Sequence, residues 1–306
     1  MADPSRLEET RRRHDAALRA LDSARRARRR ATVLRRRLDS ARARAALEGS
    51  SLAFTSFAGW EALLRTEGAA EKRPLAEAMA AAVIRVEGLR ETALLEEIGR
   101  SLPGADGGGV PGIERFEALP PGEREREEAR SESLRALLAV EGDRPALADA
   151  LRHSERAEWQ LARCRDCLAP VKIDFLFDLR GGGFHPELAK SGRLDRAGEY
   201  FLGARAALVR AEIAAAAVSG SGLPLDDAPF SPAAFWSALF ADFANDGYVT
   251  TATAVLKAMV ERLHELVAPL RVRAREAERD AARLEAELAE KEKRPPEDSR
   301  PSGGRS

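Results

Sequence analysis

Aromatic residues are scarce in this chain, 5% of 306, and a sequence so poor in them does not build the packed faces of a β-sandwich or barrel. Cysteine is scarcer still. Cys164 and Cys167 are the only two, which excludes a disulfide framework. Lysine is nearly missing: of 50 basic residues six are Lys and the rest Arg. A GC-rich genome produces that bias, together with heavy Ala use, without any selection for phosphate binding. Apolar runs are short, and Ile213–Val218 falls far below the roughly 20 residues that span a bilayer. No membrane insertion is expected. The opening residues MADPSRLEET lack an apolar secretory segment, so the expectation is a soluble, cytoplasmic protein. No catalytic, cofactor-binding or sequence-reading motif stands above background.

What is present is the mixture of long helices: Ala, Leu, Arg and Glu, with 33% charged and 44% apolar residues. The pattern predicts an all-α fold, a helical bundle body over 49–249 with long N- and C-terminal helices (1–48 and 250–293) forming an antiparallel coiled-coil stalk. Composition predicts a disordered tail over 294–306. Ser5 with Glu8 reads as a capping box opening the first helix, which then runs without Gly or Pro to Glu48, a rod of roughly 65 Å. Along it Ala17, Ala20, Ala24, Ala27, Ala31, Leu34, Leu38, Ala41 and Ala45 keep a 3-4 spacing. The last helix keeps the same spacing through Leu256, Val260, Leu263, Val267, Leu270, Ala274, Ala277, Ala281, Leu284 and Leu288. Pro269 predicts a kink or a restart within it.

Within the body, apolar residues at helical spacing predict helices near 52–66 and 74–100, broken by a Gly/Pro-rich flexible loop near 102–122. A helix follows Pro120-Pro121-Gly122, and Asp143 with Pro145 reads as the start of another, reaching about Leu168. The stretch 171–192 is the least helical, because Val171, Ile173, Phe175, Phe177 and Leu179 alternate with period two. It reads as an irregular insert, extended or in short helix and packed on the body, since no second strand exists to pair with it. Helices resume near 193–218 and 231–244, the latter with Ser231 as N-cap and Pro232 at its first position. Trp60, Trp159 and Trp236 sit among apolar helical residues and read as core.

The formal net charge is zero, yet residues 1–48 hold 15 Arg against 7 acidic residues. In the coiled-coil register, Arg28, Arg35 and Arg42 flank one side of the first seam and Arg30, Arg37 and Arg44 the other. Glu278, Asp280, Glu285 and Glu287 flank the distal seam of the last helix. Opposite charge beside complementary ridges predicts that the two ends pair antiparallel, in one chain or across a dimer. The functional expectation is a non-enzymatic scaffold or adaptor that takes a protein partner or self-associates through its coiled-coil arms.

Two alternatives come from other classes. The arginine triplets offer non-specific nucleic-acid binding, though no aromatic is interleaved for stacking. Cys164 and Cys167 form Cys-x-x-Cys, with His153 before and His185 after, a ligand set for zinc or a thiol-dependent enzyme. The structural alternative is a plain thiol pair on a helix. Asp174, Asp178, Arg180, His185 and Glu187 cluster around a glycine turn and read either as a pocket with His185 as general base or as ties for the irregular segment.

Overall fold

The computed structural model describes residues 4–46, 56–102, 116, 119–178, 186–220, 222–225, 230–245 and 249–293. These fold as α1 (Pro4–Ala45), α2 (Phe57–Thr66), α3 (Ala69–Ser101), α4 (Pro121–Asp178), α5 (Pro186–Ser219), α6 (Pro232–Ala244) and α7 (Thr250–Lys293), with no strand among the described residues. The all-α expectation holds, and most boundaries fall within a few residues of the Gly, Pro and Ser signals. Among the described residues, no helix is long and apolar enough to cross a membrane.

Two boundaries differ. The helix does not restart at Asp143, because α4 runs unbroken through Pro145 for 58 residues. An internal proline costs a backbone hydrogen bond and a clash, ~3 kcal/mol. The buried Ala146, Leu147 and Ala150 beside it offset that by packing against neighbouring helices. The expected irregular insert is also helical at both ends, since α4 continues to Asp178 and α5 begins at Pro186. A lone strand would leave backbone groups unpaired, whereas a helix satisfies its own. Residues 179–185 of that stretch lie outside the described residues, as does most of the 102–122 loop.

α5 occupies the middle of the bundle and touches α1, α2, α3 and α4. Its run Ala211–Val218 is buried throughout, including the polar Glu212 that the small residues enclose. α4 lies antiparallel along it, and α2, α3 and α6 close one end around stacked rings. There Phe57 stacks on Trp236 at 5.0 Å and Phe201 on Phe235 at 3.9 Å. α1 and α3 approach each other closely at Gly88, where a Cβ would stand 2.7 Å from the Ala45 nitrogen and 2.9 Å from the Ala41 carbonyl oxygen. Only a glycine allows the two backbones this near.

Within the chain the terminal helices do not form a two-helix stalk. Among the described residues no Cα of α1 comes within 8 Å of one in α7; α4 lies between them. Its Arg130 donates to Asp15 of α1 at 2.7 Å and reaches Glu292 of α7 at 3.4 Å. Further along, Asp143 stands 4.0 Å from Arg26 and 3.5 Å from Arg273. The order of these pairs makes α4 parallel to α1 and antiparallel to α7. A heptad ridge states that it needs cover, not which helix supplies it. The first half of α4 offers Leu134 and Leu137 as ridge, with Glu127 and Asp143 as acids.

Candidate interaction site

The α1 arginines divide by what they meet. Arg37 is 1% exposed and bonds Glu212 of α5, itself 0% exposed, while Arg36 reaches the other Glu212 oxygen from the surface at 2.5 Å. Arg44 pairs with Glu91 of α3 at 2.6 Å and Arg42 with Glu96 at 2.9 Å. Arg29 caps the end of α5, donating to the carbonyls of Val218 at 2.9 Å and Ala217 at 3.3 Å. Arg28 and Arg35 are exposed and have no carboxylate partner among the described residues. Arg30 is half-buried at the junction of α1 with α3 and α5.

The acidic partners expected on α7 lie elsewhere. Glu278 and Glu285 face outward, and Asp280 and Glu287 pair with Arg283 of their own helix at 3.0 and 3.7 Å. The carboxylates that neutralise the arm belong to α3, α4 and α5.

A second buried network ties the bundle together. Glu87 accepts from Arg205 at 3.0 Å and from the Trp236 indole N–H at 2.8 Å. Arg205 also donates to the Phe230 carbonyl at 2.7 Å and stands 3.8 Å from Glu91. Through Glu91 this set joins Arg44, so one line of charge crosses α1, α3, α5 and α6. Every member is used in holding helices together.

The expected zinc set does not assemble. Cys164 is buried and Cys167, one turn on, is half-buried. Burial pushes both thiols above the ordinary range, the opposite of a metal-ligating or nucleophilic cysteine. His153 precedes Cys164 by eleven residues on the same helix, roughly 16 Å along its axis, and lines a different cavity. Among the described residues no three His, Cys, Asp or Glu side chains come together as a metal site. His185 and Arg180 lie outside the described residues, as do the side chains of Asp174, Asp178 and Glu187.

Trp60 and Trp236 are core, as expected, but Trp159 is not. It stands 51% exposed on the outer face of α4, with Tyr200 of α5 edge-on at 5.8 Å. The Arg163 guanidinium lies 5.4 Å from its ring centre. The signal was in the spacing. Ala150, Ser154, Ala157, Leu161, Cys164 and Leu168 mark the buried stripe of α4, and position 159 falls on the opposite side of a 3.6-residue turn.

Compared with known proteins, the chain matches no family model, no curated protein sequence and no solved structure.

Proposed function

We propose that this protein is a non-enzymatic interaction module, a scaffold or adaptor that presents a preformed helical surface to a protein partner. The observation that carries the reading is Trp159. A large aromatic left half in water loses burial energy, and here it is held by Tyr200 and Arg163 on two packed helices rather than on a loop. Trp, Tyr and Arg are the residues that dominate protein interfaces when they sit on a rigid platform. The docking surface is thus the α4–α5 face and not the coiled-coil ridges, which the chain covers itself.

Trp159→Ala should weaken capture of the partner by at least about 30-fold, the ~2 kcal/mol of an interface anchor. Thermal stability should fall little, because the ring is half exposed and its neighbour Tyr200 lies at the edge of the core. Quantitative affinity purification of wild type and variant from the native cell, followed by cross-linking, reads this directly. Equal recovery of the same cross-linked partner by both proteins would remove the reading.

Arg28 and Arg35 favour a second reading, sequence-independent binding of nucleic acid along α1. They stand seven residues apart, roughly 10.5 Å, exposed and without carboxylates. Such binding falls steeply with salt; affinity for duplex DNA that is flat with salt, or absent, would eliminate it.

A further inference from the structure

We propose that the cavity where α1, α3, α4 and α5 meet is a binding site for a small doubly charged oxyanion of the phosphate type. The cavity measures about 300 Å³, room for inorganic phosphate or a small phosphomonoester. Three cationic or potentially cationic side chains converge on it from three helices: Arg30 of α1, His153 of α4 and Arg210 of α5. Elsewhere along α1, every arginine that turns inward meets an oxygen in the chain: Arg11 at Glu127, Arg29 at the end of α5, Arg37 at Glu212 and Arg44 at Glu91.

Arg30 breaks that rule. Its buried Nε has no acceptor among the described residues, as is true of the Arg11 and Arg44 Nε, but those two guanidiniums meet a carboxylate at another nitrogen and Arg30 meets none; Arg210 has no carboxylate partner there either. The one carboxylate of the lining among the described residues, Asp149, is already engaged by Arg152 at 2.8 Å. α3 adds no charge to the lining. Guanidinium forks arriving from different helices match the several oxygens of a tetrahedral dianion better than they match one chloride.

The imidazole reports the same field. Burial holds His153 below its ordinary value, and Arg152, Arg210 and Arg156 hold it lower, while Asp149 pulls the other way. An anion seated between Arg30 and Arg210 adds negative charge beside the ring and so raises its pKa. This site stands apart from the Trp159 surface, and either can fail without the other.

The test is a pH titration of the four imidazoles of the full chain by NMR, with His153→Gln assigning the resonance. Inorganic phosphate and O-phosphoserine are compared with sodium chloride at matched ionic strength. The His153 pKa should rise in phosphate or phosphoserine and not in chloride. A response to phosphate marks a free anion as ligand, and a response to phosphoserine alone marks a phosphoryl group carried on a larger molecule. Arg210→Gln, an exposed change that leaves the fold intact, should weaken the effect about tenfold or more, as should Arg30→Gln. A response equal in chloride, absent in all three, or undiminished in Arg210→Gln overturns the proposal.

Discussion

Replacing Glu212 with Gln should lower the unfolding free energy by about 3–5 kcal/mol, the largest loss expected from any single conservative change here. Glu212 is surrounded by the small residues of α5 and receives Arg37 and Arg36 from α1. Burial pushes its carboxyl upward, with the two guanidiniums pulling it back. The pair is therefore close to break-even as a source of stability. Its weight lies in what happens when one member goes, because Arg37 has no route to water while Arg36 does. A compensated change, Arg37→Met with Glu212→Leu, should restore most of the loss, since apolar replacements of a buried ion pair are often neutral or better. Urea denaturation of wild type and the two variants decides it. A Glu212→Gln protein as stable as wild type would mean that α1 is not docked on α5 as described.

Arg205→Met should be nearly as damaging, about 3–5 kcal/mol, and its effect should appear at other places. Removing the guanidinium strands Glu87 without its cation and the Phe230 carbonyl without its donor. Glu87 also holds the Trp236 indole at 2.8 Å, so the disturbance should pass from α3 into α6. Hydrogen exchange is expected to accelerate in α3 and α6 first and in the outer half of α7 least. The Trp236 emission should shift as the carboxylate that accepts its N–H loses its compensating cation. Uniform exchange with an unshifted emission would show that this network does not tie the bundle.

The fold was legible in the sequence wherever periodicity alone decides. The α7 ridge is buried or half-buried at all ten of its positions, and Pro269 sits within the helix without ending it. The α1 ridge was only partly legible. Eight of its nine positions are buried or half-buried, but Ala20 faces water, and His14, Val33 and Arg37 beside the ridge are buried more deeply than most of it. Alanine is too small to fix a face, and the charged residue with the best-placed carboxylate helped set the rotation.

Partner choice among helices was not legible at all. The acids on α7 were the ones a heptad reading finds, but Glu91, Glu96, Glu127, Asp143 and Glu212 come together only once α3, α4 and α5 are folded. The cluster of Arg30, His153 and Arg210 has the same character. Its members are 57 or more positions apart in the chain, and two of them looked like parts of a coiled-coil flank and a zinc set. Trp159, by contrast, could be read from the α4 stripe by counting in turns, without any tertiary information.

The account rests on where α1 lies, and disulfide trapping tests that most directly. In a background with Cys164 and Cys167 replaced by Ala, cysteines are placed at Leu34 of α1 and Gly99 of α3, where a Cβ on the glycine meets one neighbouring side-chain atom, the Leu34 Cδ2 at 3.2 Å. With the leucine cut back to cysteine, a small relaxation brings that pair to the usual disulfide separation of about 3.8 Å. A second protein carries cysteines at Ala24 and Ala281, on the ridges of α1 and α7. Rapid, intramolecular oxidation of the first pair and none of the second is the predicted result; trapping of Ala24→Cys to Ala281→Cys within one chain would contradict it.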